Sequence, residues 1–359
     1  MVHDLPAIDA DGHTLERQSD IRPYLPSPWD ERETSLWPEG DQPWDPMLFR
    51  KFPSQAVHAA MSPAEEVAAW LRLMDEHGME YAVLFPTGAG SIAKLRETNF
   101  ALVAARAANT MFARDYGSIS PRVRPVGVLP LQDPVKAAEE MRYAVNELGL
   151  ISFELLSLGQ PFGLGDPFYD PIWAEAQRLS VPLCIHGNRS SAYEIGALRL
   201  GTFSEVHAWA FPAGLMLHFT SILCQGVPVR FPGVRIAFLE IGATWLPYYL
   251  DRLDEHWEKR GEFEMPHLPR PPSEIFRASP LYVSLEAGEG TLAGTIEYVG
   301  DDHFLYASDV PHWDNEFPHS LEAVRQHPDL SRETKERILY RNAQALFGLG
   351  TPAQTAALT

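Results

Sequence analysis

The chain has 359 residues, of which 45% are hydrophobic, and carries a formal net charge of −19. This apolar content can fill a large core, and the length suits two domains or one barrel with insertions. The acidic balance argues against nucleic acid as a partner, because phosphate binding requires a basic surface.

The first predicted strand is the run "PAIDADGH", and an irregular segment follows it from about Arg17 to Ser62. A structureless segment of this length is usually functional or disordered, and its prolines exclude a regular helix. Its aromatic residues favour a packed lid, so we predict a lid-like insertion over residues 17–62. The prolines are Pro23, Pro26, Pro28, Pro38, Pro43, Pro46 and Pro53, and the tryptophans are Trp29, Trp37 and Trp44.

Helices and strands alternate along the rest of the chain. The first helix has Ser62 as its N-cap, Pro63 at its first position and Gly78 as its terminator, and the strand "MEYAVLFP" follows it. Further helices are predicted at about Ser91–Tyr116, Pro134–Leu148, Tyr169–Leu179 and Phe203–Val227, and over "TWLPYYLDRLDEHWEKRG". The remaining strands are "VRPVGVLP", "LISFELLS", "VPLCIHG", "VRIAFLE", "LYVSLE" and "HFLYASD". Eight strands with helices between most of them predict an α/β fold, a (β/α)₈ TIM barrel that forms a single domain over residues 1–359.

Acidic and imidazole residues stand at the carboxyl ends of four of these strands. They are Asp11 and His13 on the first strand, His186 on the fifth, Glu240 on the sixth, and Asp309, followed by His312, on the eighth. A TIM barrel builds its active site at this face, from strand ends and the loops after them. Asp11 and His13 are two residues apart on a strand, so both point toward the barrel axis.

These residue types favour a catalytic metal site. Asp11, His13, His186 and Asp309 make a mixed carboxylate and imidazole shell with room for water or substrate. Either one ion or two ions bridged by a carboxylate are compatible with so many ligand-type groups, and the mixture suits zinc, manganese or iron. A lone histidine after a strand is more often structural, so the prediction depends on the whole group. The sequence has neither a G-x-S-x-G elbow nor a glycine-rich phosphate loop.

Three other histidines have open roles. His312 could ligate a second metal, donate a hydrogen bond to substrate or orient Asp309. His207 and His218 are eleven residues apart on a predicted helix and therefore share one side of it. We predict His218 as a further metal ligand, with helix packing as the alternative, and helix packing for His207.

The substrate pocket is predicted to be apolar and to accept a medium-sized organic acid or ester. Arg189, just after His186, is a candidate anchor for a substrate carboxylate, with a surface ion pair as the alternative. Trp313 is a candidate substrate contact. Other aromatic residues near predicted loop ends are Phe203, Trp209, Phe211 and Trp245.

Five segments resemble the amidohydrolase-related family, in the branch similar to aminocarboxymuconate-semialdehyde decarboxylase. They are "IDADGHTLE", "IHGN", "RFPGVRIAFLEIGATWLPYYLDRLDEHWE", "FLYASDVPHWD" and "ERILYRNAQALFGL". The resemblance covers the first strand and nearly everything from about Ile151 to Leu349. It implies a TIM-type barrel that holds a divalent metal, often zinc or manganese, and frequent homodimers.

The resemblance also implies roles for single residues. The first-strand His-x-His pair of many relatives falls on Asp11 and His13, the fifth-strand ligand on His186, and the eighth-strand aspartate on Asp309. The sequence departs from the family at the sixth strand, where Glu240 stands in place of a catalytic histidine. A glutamate there can act as a general base or bind a metal itself.

Two classes of activity follow, and a third is disfavoured. The first is a metal-dependent hydrolase or non-oxidative decarboxylase, with Glu240, Asp309 and His312 as catalytic residues. The alternative is a dinuclear non-haem iron or iron/manganese monooxygenase that hydroxylates an unactivated carbon, in catabolism or secondary metabolism. A catalytically inactive structural subunit is disfavoured, because every ligand-type position is retained.

The sequence also predicts the compartment. Cys184 and Cys224 are the only cysteines, and both lie in apolar contexts. Reduced, buried thiols are therefore expected, which fits a cytosolic protein. The amino terminus lacks the pattern of a signal peptide, and no run of about 18 apolar residues predicts a membrane span.

Overall fold

The strands form an eight-stranded parallel barrel in the computed structural model, which describes residues 4–37, 61–188 and 191–350. The strands are β1 (Ala7–Thr14), β2 (Met79–Pro86), β3 (Val123–Pro125), β4 (Gly127–Val128), β5 (Phe153–Leu156), β6 (Leu183–His186), β7 (Ile236–Leu239), β8 (Leu281–Ser284) and β9 (Phe304–Leu305). Neighbours pair in parallel in the order β1-β2-β3 and β4-β5-β6-β7-β8-β9. The predicted TIM barrel is confirmed.

The third predicted strand is split into β3 and β4 at Val126. The Val126 N–H donates to the Leu84 carbonyl on one side, and the Gly127 N–H donates to the Ser152 carbonyl on the other. One continuous strand therefore joins the two hydrogen-bonded groups of strands, and the barrel wall is unbroken here.

Backbone hydrogen bonds between β1 and the segment after β9 close the barrel. The Ala10 N–H donates to the Tyr306 carbonyl, and the Asp309 N–H donates to the Asp11 carbonyl at 2.9 Å. A third bond runs from the His13 N–H to Val310 at 2.8 Å. This closure brings β1 and the segment after β9 together at the carboxyl-terminal face of the barrel.

Helices cover the outside of the barrel. They are α1 (Gln18–Ile21), α2 (Pro63–His77), α3 (Thr98–Met111), α4 (Pro134–Leu148), α5 (Asp170–Leu179), α6 (Phe203–Cys224), α7 (Val227–Arg230), α8 (Leu246–Glu264), α9 (Pro272–Arg277), α10 (Leu292–Val299), α11 (His319–Gln326), α12 (Arg332–Glu336) and α13 (Asn342–Phe347). Short 3₁₀ turns occupy Arg22–Tyr24, Trp29–Glu31, Ala89–Lys94, Pro167–Tyr169, Ala192–Ile195, Ala197–Arg199 and Asp301–His303, and π turns occupy Phe112–Gly117 and Arg337–Arg341.

The ends of α2 follow the prediction, whereas the helix predicted at Ser91–Tyr116 is wrong in extent. Ser62 caps α2 together with Glu65, and Gly78 ends it in the left-handed region (φ 68°). The longer segment is a 3₁₀ turn, then α3, then a π turn. Leu95 is extended (ψ 128°), so helical hydrogen bonding is interrupted before α3 begins.

The described part of the predicted lid packs on the helical layer. The ring of Trp29 stacks on Phe100 of α3 at 5.6 Å, and the Tyr24 hydroxyl donates to Asp115. Ile21 and Leu36 are fully buried. Residues 38–60, with the prolines and Trp44 predicted there, lie outside the described residues, so a lid over residues 17–62 stays a prediction.

Helix α6 is the longest described helix and packs through one side onto the barrel. Its Phe219 contacts Phe238 of β7, Trp245 and Phe276 at ring distances of 5.1, 4.9 and 5.7 Å. By length and composition α6 could cross a membrane, which the sequence pattern did not predict. This is weak evidence, because a core helix of a soluble protein passes the same test and 44% of its 18-residue window is buried. Both cysteines are free.

Alternate strand residues form an inner apolar cluster. It includes Ile8, Ala10, Tyr81, Val83, Phe85, Cys184, Ala237, Leu239 and Leu305, and residues of α13 join it. The cluster defines the inward-facing positions of the strands, since successive strand residues alternate between faces. It also provides the apolar floor beneath the strand ends that carry Asp11, His13, His186, Glu240 and Asp309.

Candidate metal centre

Asp11 and His13 lie fully buried at the carboxyl end of β1. The register of β1 against β2 is irregular between Asp9 and Gly12, so Asp11 and His13 can both face inward although Ala10 also belongs to the inner cluster. The distance from His13 Nε2 to Asp11 Oδ1 is 3.5 Å. Both Asp11 oxygens and both His13 nitrogens lack a hydrogen-bond partner among the described residues.

His186 ends β6 with one nitrogen used and the other free. Its Nδ1 lies 2.9 Å from the carbonyl oxygen of Gly187, which can only accept, so Nδ1 carries the proton. In the neutral ring Nε2 then presents its lone pair, and this atom lies 3.3 Å from Asp11 Oδ1. Phe85 stacks on the imidazole at 5.4 Å and fixes the plane of the ring.

Glu240 and Asp309 both lie in the left-handed region of backbone space, with φ of 68° and 56°. Residues other than glycine adopt this conformation rarely and at a cost. At Glu240 it has a geometric consequence: Leu239 faces the barrel interior, so a regular strand would point the next side chain outward. The turn brings Glu240 inward instead, and its N–H donates to Ser284 Oγ at 2.9 Å.

His312 lies between the carboxylates and a hydroxyl group. Its Nδ1 is 2.6 Å from Asp309 Oδ1 and 3.6 Å from Glu240 Oε1. Its Nε2 is 3.2 Å from Thr87 Oγ1, and the Thr87 hydroxyl donates its own proton to the Thr14 carbonyl. Thr87 must therefore accept from Nε2–H, and neutral His312 presents the Nδ1 lone pair to the carboxylates.

The three imidazoles pack into one group that is surrounded by carboxylates. The ring of His13 lies 4.0 Å from His312 and 5.0 Å from His186. Burial raises the pKa of Asp11, and this effect exceeds the opposing attraction of His186. Burial also opposes ionisation of Glu240, yet His186 and His13 hold the pKa of this carboxyl well below its usual range. The ion pairs of this cluster among the described residues have only histidine as the cationic partner.

The ligand atoms form two overlapping groups rather than the single predicted shell. One group contains Asp11, His13, His186 and Glu240, and the other contains His13, Glu240, Asp309 and His312. Within each group the chosen atoms lie within 4.8 Å of one another. Donors about 2.0 to 2.2 Å from a shared ion have such separations, and unpartnered buried polar atoms are costly without a ligand. The residues present therefore fit a divalent metal.

His218 does not reach this pocket, so its prediction as a ligand is wrong. Its Nε2–H donates to the Ser157 carbonyl at 2.9 Å, and its Nδ1 accepts from the Leu164 N–H at 3.0 Å. A neutral imidazole has only one lone pair, and here the backbone occupies it. His218 is a packing histidine, and burial lowers its pKa to about 4.

The predicted substrate contacts are partly described. Trp313 is half-buried next to His312, and its ring contacts Phe203 at 5.8 Å and His207 at 5.6 Å. His207 also packs on Phe211 at 4.3 Å, which extends this aromatic wall toward Gly187. Arg189 lies outside the described residues, so its role as a carboxylate anchor stays a prediction.

The sequence predictions missed three residues of the pocket wall. Glu154 lies within β5 with Oε1 3.7 Å from His186 Nδ1, and burial raises its pKa to about 7. Its charge inside the apolar run "LISFELLS" was a usable signal. Glu16 accepts the N–H groups of Gly88 and Ala89 and thereby holds the loop that carries Thr87. No sequence pattern distinguishes Glu16 or Thr87.

Known proteins are similar to the chain over most of its length. A family model described as "Amidohydrolase" matches residues 8–349. A gamma-resorcylate decarboxylase of Polaromonas sp. JS666 is 28% identical over 78% of this chain and 86% of that protein. A gamma-resorcylate decarboxylase of Rhodococcus jostii is 32% identical over 51% of this chain, and the matched part spans only 58% of that relative's length.

A solved structure has the same fold. It is a dihydroxybenzoic acid decarboxylase of Polaromonas sp. JS666 with bound manganese and the inhibitor 2-nitroresorcinol. The TM-score is 0.70 at 23% identity, and the alignment covers 96% of this chain and 97% of that one. At this identity the likeness shows the fold alone.

Proposed function

Because the chain belongs to the amidohydrolase family, we propose that it is a metal-dependent decarboxylase that removes a carboxyl group from a small aromatic acid. The observation that carries the proposal is the set of buried carboxylate and imidazole atoms without partners at the carboxyl-terminal face of the barrel. The names of the decarboxylase relatives support the reaction class. Hydrolysis and oxygenation are not supported by any of the relatives reported above.

The metal ligands are proposed from the cluster itself. Asp11, His13 and His186 would hold the ion together with Glu240 or Asp309, and manganese, zinc or iron suits this mixed donor set. The bound ion would supply Lewis-acid attraction for the oxygens of an anionic substrate. The apolar surroundings, such as Phe85 stacked on His186, restrict access of water to the ligand atoms.

The aromatic wall is proposed to orient the ring of the substrate. Phe211, His207 and Trp313 form a contiguous set of rings beside the cluster. Offset or edge contacts between aromatic rings contribute about 0.5–1.5 kcal/mol beyond the burial of area. A planar aromatic acid could therefore place its ring against this wall and its carboxylate toward the metal.

Glu240, Asp309 and His312 are proposed as the catalytic residues. Decarboxylation breaks the bond between ring and carboxylate carbon, carbon dioxide leaves, and a proton takes its place on the ring. The proton must come from a group at the reacting end of the pocket. These three residues lie next to His13. The carboxylate oxygens of Glu240 and Asp309 are 2.6–3.6 Å from the nearest nitrogens of His13 and His312.

The test is a direct assay of carbon dioxide release. Purified protein loaded with Mn²⁺ is incubated with dihydroxybenzoate isomers, with unsubstituted benzoate as the control for chemical decay. We expect carbon dioxide and the matching dihydroxybenzene in equal amounts, and a loss of at least about 100-fold in turnover for Glu240→Gln. If no hydroxylated aromatic acid releases carbon dioxide while an aryl ester is hydrolysed or oxygen is consumed, the proposal is wrong.

Two further predictions from the sequence are retained as proposals. A homodimer is expected from the family resemblance, and a cytosolic location is expected from the two free thiols. A small organic molecule is the proposed binding partner, and nucleic acid and membranes are not. Sedimentation of the purified protein would measure the oligomeric state directly.

A further inference from the structure

The pocket contains two imidazoles, and each directs its second nitrogen at a different carboxylate. Hydrogen bonds to the Gly187 carbonyl and to the Thr87 hydroxyl fix the protonated nitrogens of His186 and His312, respectively. The other nitrogen of His186 lies 3.3 Å from Asp11, and that of His312 lies 2.6 Å from Asp309. A lone pair directed at a carboxylate oxygen is repulsive, so each pair needs a cation, which is either a proton on the imidazole or a metal ion bound by both atoms.

One ion cannot serve both pairs equally well. Asp309 and His312 are absent from the group of ligand atoms that contains Asp11 and His186. His13 and Glu240 belong to both groups, and they lie between the two pairs. A carboxylate has two oxygens and can bind two ions at once, whereas a single imidazole nitrogen binds only one.

We infer that the pocket binds two divalent ions with Glu240 as the bridging ligand. Asp11 and His186 hold the first ion, and Asp309 and His312 hold the second. His13, whose Nε2 is 3.5 Å from Asp11 and 3.3 Å from Asp309, completes one of the two shells. The inference rests on the metal site of the proposed function and adds the number of ions and the role of Glu240. In this two-ion site Glu240, Asp309 and His312 are ligands, so another group of the pocket would supply the proton for decarboxylation.

The charge of the pocket supports the second ion. When metal is bound, the ligating imidazoles are neutral and contribute no charge, whereas the carboxylates of Asp11, Glu240 and Asp309 contribute three negative charges. One divalent ion would leave a net charge of about −1, which repels the carboxylate of an acid substrate, whereas two ions give about +1. No lysine or arginine is an ion-pair partner of these carboxylates in the described part of the chain.

The inference is tested by counting bound ions. Metal-free full-length protein is dialysed against Mn²⁺, and protein-bound manganese is measured by mass spectrometry, together with the electron paramagnetic resonance spectrum. We expect two equivalents per chain and a spectrum broadened by magnetic coupling between neighbouring ions. His312→Ala and His186→Ala should each retain about one equivalent and lose the coupling.

A matched control and a folding check accompany these variants. Asp314→Asn removes a carboxylate that lies beside His207 but belongs to neither group, and it should retain two equivalents. Circular dichroism checks that each variant is folded, and if a variant unfolds, the wild-type count and coupling alone decide. One equivalent in the wild type would overturn the inference, because the His312–Asp309 pair would then share a proton instead of binding a second ion. Decarboxylation with that single ion would leave the proposed function intact. Two coupled equivalents without decarboxylation would support the inference and refute the proposed function instead.

Discussion

The hydroxyl of Thr87 determines which nitrogen of His312 faces the carboxylates. Thr87 donates its proton to the Thr14 carbonyl at 2.7 Å, so it can only accept from His312 Nε2 at 3.2 Å. Thr87 belongs to neither ligand group, yet it orients His312, a proposed ligand. Outer partners of this kind commonly change metal affinity 10- to 100-fold, as estimated from other metal sites.

We predict that Thr87→Val weakens binding of Mn²⁺ at the His312 position about 10- to 100-fold. Valine has nearly the same shape but offers no acceptor, so the imidazole is free to rotate or to change tautomer. Thr87→Ser keeps the hydroxyl and should bind like the wild type. Calorimetric titration of metal-free protein measures both, and equal affinities for the valine and serine variants would contradict the predicted role.

A second prediction concerns Gly187, which follows His186. A Cβ at this position would overlap the ring of Phe211 and lie 3.0 Å from Glu240 Oε2. Gly187→Ala should therefore displace Glu240 or Phe211, destabilise the fold by about 1–3 kcal/mol and lower the metal content. Gly288→Ala is the matched control, since a Cβ there meets nothing within 4 Å. Metal analysis and thermal unfolding of both variants would show whether Gly187 alone is sensitive.

A third prediction concerns stability against pH at His218. Its pKa is lowered to about 4 by burial, against about 6.5 in the unfolded chain, so between these values the unfolded state binds more protons. The free energy of unfolding should therefore fall as the pH drops from about 6.5 to 4. This residue should account for roughly 3 kcal/mol of that fall, and it should add no pH dependence above about pH 6.5.

The measurement compares His218→Gln with the wild type by urea unfolding at several pH values. The variant should lose less stability over this interval, because glutamine does not titrate. His319→Gln, at an exposed position, serves as the control and should match the wild type. Parallel pH profiles for His218→Gln and the wild type would show that His218 does not contribute.

A fourth prediction concerns removal of the metal. Asp11, Glu240 and Asp309 repel one another without a cation, so a chelator should lower the melting temperature. Each ion that binds only the folded chain stabilises it by about 2.7 kcal/mol when its free concentration is 100 times its dissociation constant. Scanning calorimetry with and without Mn²⁺ gives the shift. An Asp11→Asn, His186→Ala double variant should respond less, and an unchanged response would place the ion elsewhere.

The sequence was sufficient to predict the barrel and most of the cluster, because the strands are mostly apolar runs and four of them end close to acidic or imidazole residues. Spacing also predicted that Asp11 and His13 share a side. It could not predict why, since the irregular register of β1 changes the alternation between Asp9 and Gly12. His218 was misassigned, because helical spacing does not reveal that Ser157 and Leu164 use both of its nitrogens.

Other features of the site depend on contacts that no local pattern encodes. The bonds of Thr87 and Glu16 form only after distant loops meet at the barrel rim. The inward turn at Glu240 is a backbone property, and a strand pattern predicts the opposite face for this residue. This turn places Glu240 in both ligand groups.

The left-handed backbone conformations of Glu240 and Asp309 imply a trade-off between stability and activity. Each residue holds a conformation that glycine would adopt without strain, so replacement by glycine would relieve a cost on the order of 1–3 kcal/mol while deleting a carboxylate. A library of variants screened for heat resistance alone would thus be expected to enrich inactive proteins altered at these two positions. Directed evolution of this barrel should therefore keep both residues fixed and search for stabilising substitutions in the outer helices.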